Sequence, residues 1–132
     1  MPRLSIWLVR TALLALLAGT ALGAVLLAGP GFGWPGVLRW RPLHAELLLV
    51  GWLVQLTLGV SWWILPRFRS GAERGPEGLG WLAFGLVNAG AILAGVGRSV
   101  GLDGLALAGR SAEALAAAAY AARAWPRVKP FR

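Results

Sequence analysis

Four long apolar runs make up most of this chain, and short segments rich in glycine, proline and arginine separate them. Each run is close to the roughly 20 residues that an α-helix needs to cross a bilayer. None of the runs alternates polar with apolar residues, as the strands of a membrane barrel do. The pattern predicts an all-α, integral membrane four-helix bundle, a single domain over residues 1–132 with spans at about 6–28, 43–65, 79–100 and 105–125.

Helix-breaking residues mark the connections between the runs. Gly-Pro-Gly at 29–31 and Trp-Pro-Gly at 34–36 follow the first run, and Pro66 ends the second. Residues 101–104 predict a tight turn between the third and fourth runs. The first run also resembles a signal peptide, with basic residues ahead of a stretch rich in alanine and leucine, and we expect it to be retained as a helix.

The composition agrees with a membrane protein. Hydrophobic residues make up 58% of the chain and charged residues only 14%, whereas soluble domains carry roughly a quarter charged residues. Glycine allows membrane helices to approach closely, and tryptophan, present eight times, suits the headgroup layer. The net charge of +8 comes largely from arginines that flank the apolar runs, so it does not indicate nucleic-acid binding. Because the chain has no cysteine, disulfides, thiolate metal sites and thiol catalysis are excluded.

Basic residues in the connecting segments predict the orientation, because cytoplasmic loops of membrane proteins carry the excess of lysine and arginine. Most of these residues lie on the side of the two termini and of the loop between the second and third runs. We therefore expect both termini in the cytoplasm and His44 near the outer face of the cell inner (plasma) membrane. The basic residues on the side of the termini are Arg3, Arg67, Arg69, Arg74, Arg123, Arg127, Lys129 and Arg132, and those on the other side are Arg39, Arg41 and Arg98.

Three of the runs carry small residues at helical spacing, which predicts close helix packing. The sequence leaves open whether each face lies inside the bundle or at a contact between copies. The faces are Ala15, Gly19 and Gly23 in the first run; Gly85, Asn88, Ile92 and Gly95 in the third; and Ala114, Ala117, Ala121 and Ala124 in the fourth.

His44 is the only histidine of the chain, and it stands at the start of the second run. An imidazole at the edge of a bilayer is costly without a partner, and it is a good ligand for iron. At about 100° per residue, the other four residues of a stripe on this run lie within about 40° of the direction of His44, with Gly59 beside them. The glycines leave a furrow below the imidazole for a neighbouring helix or a flat macrocycle, and the glutamine needs a polar partner at mid-depth. The five residues are His44, Leu48, Gly51, Gln55 and Trp62.

At this segment the chain resembles the catalytic subunit of the heme–copper oxidase superfamily, and most closely its nitric oxide reductase branch. The second helix of that subunit has an arginine, a histidine, an apolar run with spaced glycine and tryptophan, and a Leu-Pro end. The resemblance covers about residues 39–68, and the residues that carry it are Arg41, His44, Leu47, Trp52, Gly59, Trp62, Trp63, Leu65 and Pro66.

The resemblance implies that His44 is an axial ligand of heme b. The histidines that hold the superfamily's second metal are absent, so a binuclear centre that reduces oxygen or nitric oxide is excluded, and we expect no stand-alone catalysis. One histidine per chain still provides two axial ligands if a homo-oligomer shares the heme. Arginines near the outer face suit the two propionates. The predicted heme-binding residues besides His44 are Arg39, Arg41, Gly51, Gln55, Arg98 and Arg110.

The expected role is one-electron transfer, or heme sensing or handling, next to components of a respiratory chain. Two other functions fit the sequence. The chain is a cofactor-free structural or assembly subunit of a respiratory complex if His44 only sits in the membrane interface, bonded to water or to Glu46. It is a small oligomeric transporter if Glu113, Arg110 and Asn88 line a path through the membrane.

Arg110 and Glu113 lie three residues apart in the fourth run, so they can pair along one helix face. An ionised pair at this depth is costly unless it faces protein or water. Glu113 is a candidate proton-relay carboxyl. The structural alternative is a pair that fixes the helix register, or a neutral Glu113 bonded to Asn88 or Gln55.

Overall fold

The computed structural model describes residues 1–66 and 77–128. Every element in these two ranges is helical, as the apolar pattern predicts. The α-helices are α1 at Arg3–Ala28, α2 at Arg41–Glu46, α3 at Gln55–Ile64, α4 at Gly78–Val100 and α5 at Asp103–Ala124.

Some predictions fall outside the described ranges. Five of the basic residues that we used for the orientation, and the last part of the segment that carries the family resemblance, lie there. The five residues are Arg67, Arg69, Arg74, Lys129 and Arg132.

The second predicted span is one continuous rod made of several helical types. A 3₁₀ helix at Pro35–Trp40 leads into α2, a π-helix at Leu47–Val54 follows, and α3 completes the rod. We refer to the whole element, Pro35–Ile64, as the second rod. A π-helix bonds i to i+5, so its turn is wider than an α-turn. Residues spaced by four, such as Gly51 and Gln55, therefore stay on one side of the rod through this stretch.

The two proline-containing segments that we predicted as breaks form helical turns instead. The 3₁₀ helix Gly29–Phe32 continues directly from α1, and Pro30 ends the α-helical hydrogen bonds because it has no N–H to donate. In the 3₁₀ helix Pro35–Trp40 proline is the first residue, where a missing N–H removes no helical bond. The chain reverses at Gly33, whose φ of 76° is left-handed. Gly101, also at φ 76°, makes the predicted tight turn between α4 and α5. Because the segment at Pro35–Trp40 is helical, the second rod starts at Pro35 and not at the predicted residue 43.

Consecutive elements run antiparallel. Helix α1 packs along the second rod, with Leu8 next to Gly59 at one end and Gly23 next to His44 at the other. Helix α4 runs back beside the rod, and α5 returns along α4. Both ends of the described chain therefore lie at the end of the bundle near Gly59, which we call the termini end. The opposite end, with the imidazole, is the His44 end.

Helices α4 and α5 approach closely through glycine. A Cβ on Gly97 would lie 2.5 Å from the backbone nitrogen of Ala106, and a Cβ on Gly90 would lie 3.0 Å from the carbonyl oxygen of Gly109. A Cβ on Gly109 would overlap the backbone nitrogen of Ala94. Only hydrogen fits at these positions, so backbone meets backbone across the pair.

The predicted small-residue faces meet different outcomes. The face of α1 lies inside the bundle against the second rod. On α4, Gly95 packs against Leu43 inside the bundle, whereas Gly85 has no neighbouring atom within 4 Å and Ile92 is exposed, so this part of the predicted face makes no contact within the chain. The buried face of α5 consists of Ala106, Gly109, Ala116 and Tyr120, which are not the alanines of the predicted face. Alanine occurs on several sides of this helix, so its spacing does not identify one contact face. The exposed alanines of the predicted α5 face are Ala114, Ala117 and Ala121.

Large side chains fill the termini end, where small residues leave room between the helices. The indole of Trp62 is fully buried, and its ring centroid lies 5.9 Å from that of Tyr120. The Tyr120 hydroxyl shares a 2.6 Å hydrogen bond with the Ser61 hydroxyl. The buried cluster consists of Leu4, Leu8, Trp62, Ala83 and Tyr120.

Arg127 closes this cluster. It is 1% exposed and donates hydrogen bonds to the carbonyl oxygens of Trp62 at 3.0 Å, Leu65 at 2.8 Å and Pro66 at 3.0 Å. These carbonyls lie in the last turn of α3 and just after it, where the backbone carbonyls have no N–H partner within the helix and the helix end attracts positive charge. The sequence predicted Arg127 only as one of the basic residues on the side of the termini. Its buried position, as a cap on the C-terminal end of α3, was not predicted.

Among the described residues, three helical elements are long and apolar enough to cross a membrane: Arg3–Phe32, Pro35–Ile64 and Gly78–Val100. Helix α5 forms as predicted and has 22 residues, but it is not among the three. The charged side chains of Arg110 and Glu113 in its middle lower its hydropathy.

The α4–α5 contact is testable with a pair of glycine variants. Gly109→Ala should destabilise the protein by about 1–3 kcal/mol, because the new methyl group meets backbone rather than a flexible side chain. Gly85→Ala, in open space on α4, should be neutral or stabilising by up to about 1 kcal/mol. Thermal unfolding in detergent, followed by circular dichroism, measures both. Equal melting temperatures for the two variants would contradict the close approach of these helices.

Candidate functional site

His44 points from the second rod towards α1. Its Nδ1 donates a hydrogen bond to the carbonyl oxygen of Gly19, with 2.8 Å between the two atoms. A carbonyl oxygen only accepts, so the proton of this bond lies on Nδ1. In the neutral imidazole, Nε2 then carries the lone pair, and no hydrogen bond from the described residues occupies it. The ring is thus held in the tautomer that ligates a metal through Nε2.

Glycines on α1 let the imidazole come so close to a helix backbone. A Cβ on Gly23 would lie 2.7 Å from Cε1 of His44, and a Cβ on Gly19 would lie 3.0 Å from Cγ of Leu48. The four-residue spacing of Ala15, Gly19 and Gly23 is therefore the reason that the Gly19 carbonyl can be reached from the second rod. The sequence predicted this small face and the histidine separately, and the structure brings them together.

A cavity of about 400 Å³ lies beside the imidazole. His44, Arg41 and Gly23 line it together with Leu26 and Leu27. Leu27 is 87% exposed, so the cavity opens sideways from the bundle rather than into its interior. A flat apolar ligand bearing an acidic group would meet leucine side chains, an imidazole nitrogen and a guanidinium here.

Gly51 and Gln55 do not reach this cavity, because α1 covers them. A Cβ on Gly51 would lie 3.0 Å from the Cβ of Ala15. Gln55 is fully buried, and its Nε2 donates to the hydroxyl of Thr11 and, at 3.4 Å, to the carbonyl of Leu8. The furrow that we expected below the imidazole exists, and a neighbouring helix fills it.

Two of the predicted arginines lie away from His44. Arg39 lines a different cavity of about 540 Å³, on the other side of the contact between α1 and the second rod. Arg98 is exposed near the end of α4. Of the four arginines that we predicted as propionate partners, the structure brings only Arg41 into the cavity of His44.

Arg110 belongs to an ion-pair cluster between α2 and α5. It donates to Oε2 of Glu113 at 2.9 Å, as the i,i+3 spacing predicts, and also to both carboxylate oxygens of Glu46. Glu46 is 6% exposed and faces α4 and α5, whereas His44 faces α1. The second carboxylate was missed in the sequence. A signal was available, because a glutamate in a predicted span requires a partner and Arg110 is the basic residue at similar depth.

The described residues contain no group of three metal-ligating side chains. An iron site at His44 would therefore be formed by one protein nitrogen and a cofactor that brings its own ligands. A porphyrin has this property, since its four nitrogens leave one or two axial positions to the protein. A bare divalent cation would find too few ligands here.

The ion-pair cluster generates a prediction about stability. Arg110→Met leaves the buried Glu46 without a cation and should lower stability by roughly 1–3 kcal/mol. Adding Glu46→Gln and Glu113→Gln to this variant should restore most of the loss, because no uncompensated carboxylate remains. The matched control is Arg98→Met, an exposed arginine at the same end of the bundle. Melting temperatures in detergent report the result, and a triple variant no better than Arg110→Met would exclude a charge-balancing role.

We compared the chain with known protein families, curated proteins and solved structures. No protein-family model, no curated protein and no solved structure matches the chain. The likeness of residues 39–68 to the second helix of heme–copper oxidases therefore stays a prediction from the sequence.

Proposed function

We propose that this chain is a multi-pass protein of the inner (plasma) membrane that binds heme b through Nε2 of His44. The observation that carries the proposal is the 2.8 Å hydrogen bond from Nδ1 of His44 to the carbonyl oxygen of Gly19. This bond fixes the ring and leaves the lone pair on Nε2. Histidines that bind metals commonly donate their other ring N–H to a carbonyl or carboxylate in this way.

Insertion in the membrane is supported by the three long apolar elements and by the apolar side chains on their outer surfaces. On α1, Leu13, Leu14 and Leu17 are between 52% and 67% exposed, an arrangement that suits lipid better than water. In this proposal α5 is the fourth crossing, with its charged pair directed to Glu46. The termini end faces the cytoplasm, because most basic residues of the connecting segments belong to that side.

The residues around His44 fit a heme. The cavity provides leucine side chains for the macrocycle, and Gly23 lets the imidazole lie against α1 without a clash. Arg41 suits a propionate, because a guanidinium binds a carboxylate through two hydrogen bonds. The cavity is open on the side of Leu27, so one chain covers only one side of a bound heme.

The second axial ligand comes from a second copy of the chain in this proposal. Met1 lies at the termini end, and Tyr120 is there too, with its hydroxyl bonded to Ser61 and Leu58. Neither side chain is near the imidazole. A two-fold axis beside His44 would supply the same nitrogen from a partner and would also cover the open side of the cavity. Homo-oligomerisation therefore completes the site.

The role that follows is one-electron transfer, or sensing or handling of heme, next to respiratory-chain components. When bound, heme b supplies a one-electron redox couple. The described residues contribute a fixed imidazole, a cationic group for the propionates and an apolar wall.

A cofactor-free structural or assembly subunit is the second candidate, and one observation favours it. The hydrogen bond from His44 to Gly19 also fastens α1 to the second rod, so the imidazole has a structural use without a metal. The transporter alternative has less support. Arg110 is engaged by two carboxylates, and the amide nitrogen of Asn88 donates to Phe84 of its own helix at 2.8 Å.

Absorbance of the purified protein tests the heme proposal. Protein from heme-replete cells should show a Soret band with one heme for every two chains, and His44→Ala should lose most of it. Gly23→Val keeps the imidazole but displaces the ring, since even a Cβ at residue 23 would lie 2.7 Å from Cε1. We expect this variant to bind heme about 10–100-fold more weakly.

Gly31→Ala is the matched control, because no atom lies within 4 Å of the added Cβ, and it should bind heme as the wild type does. Gel filtration and circular dichroism verify that each variant is folded. Folded wild-type protein that stays colourless after reconstitution with hemin would exclude the heme proposal and favour the assembly subunit.

A further inference from the structure

The cavity of about 540 Å³ at the His44 end is built from two chemically different walls. Leu22 and Val25 of α1 and Leu43 of α2 form an apolar wall. Trp34, Arg39 and Trp40, from the connection between α1 and α2, form the other wall. None of these residues lines the cavity of His44, so the two cavities are separate.

Arg39 is the cationic group of this cavity. Its guanidinium carbon lies 5.5 Å from the ring centroid of Trp40, so the aromatic face holds the charge beside the cavity. Arg39 is exposed, and no carboxylate of the described residues pairs with it. An anionic ligand would therefore find this guanidinium available.

We propose that this cavity binds an anionic phospholipid from the leaflet at the His44 end. The phosphate and headgroup lie at Arg39, and an acyl chain lies along Leu22, Val25 and Leu43. Tryptophan prefers the headgroup layer of a bilayer, and Trp34 and Trp40 line the cavity together with Arg39. The inference rests on the membrane insertion proposed above and not on heme binding.

Charge complementarity favours a lipid over a second copy of the chain. Arg39 is the charged residue that lines this cavity, and no acidic side chain of the described residues lines it. A second copy placed over this cavity would bring two Arg39 side chains together with no carboxylate between them. An anionic phospholipid neutralises Arg39 and matches the apolar wall at the same time.

Native mass spectrometry of the full chain in mild detergent tests the proposal. The protein is titrated with phosphatidylglycerol or with phosphatidylcholine of the same acyl chains. We expect one phosphatidylglycerol per chain to bind more tightly than phosphatidylcholine. Arg39→Gln should weaken phosphatidylglycerol binding about fivefold, which is the contribution of one basic residue near an anionic lipid.

Arg98→Gln is the charge-matched control and should leave the binding unchanged, because Arg98 lies outside the cavity. Gly36→Leu should reduce binding of both lipids, because residue 36 lines the cavity and the larger side chain would occupy part of it. The substitution should not disturb the fold, since no atom lies within 4 Å of the added Cβ. Equal binding of the two lipids, an equal effect of Arg98→Gln and Arg39→Gln, or unchanged binding to Gly36→Leu would each overturn the proposal. Lipid binding is scored apart from colour, so its failure and that of heme binding are distinguishable.

Discussion

The close approach of α1 to the second rod is the contact on which the rest of the bundle depends. Side chains normally screen a helix backbone, and Gly19 and Gly23 of α1 remove that screen over about one turn. The carbonyl of Gly19 thereby becomes an acceptor for a side chain on another element. The same approach buries Gln55 and forms the cavities on either side of the contact. The contact between α1 and the second rod thus determines where polar groups meet at the His44 end.

The second rod serves a different neighbour on each side. His44 faces α1, and Glu46, two residues later, faces α5 through Arg110. A helix rotates by about 100° per residue, so residues two apart look in nearly opposite directions. The rod therefore joins α1 to the pair of α4 and α5 by polar contacts at almost the same depth. Loss of the contact with Arg110 would leave the buried Glu46 on the rod without its partner.

Length and apolar periodicity predicted the helices and the face of α1, since both are local properties of the sequence. The packing faces of α4 and α5 were harder to predict. Where most side chains are small, as around Ala117, the spacing selects no single face. The sequence identified His44 as a candidate residue, but it did not predict which groups surround the imidazole. The acceptor at Gly19 and the partnership of Glu46 with Arg110 depend on how distant segments pack, which one sequence does not encode locally.

The buried cap at Arg127 implies that one end of the bundle is completed after the rest. The carbonyls that it satisfies belong to the end of α3 and to Pro66, about sixty residues earlier in the chain. During synthesis, that end of the second rod stays open until the two later helices have been made and have turned back beside it. The last turn of α3 is therefore capped only after Arg127 has been synthesised and has folded back against it.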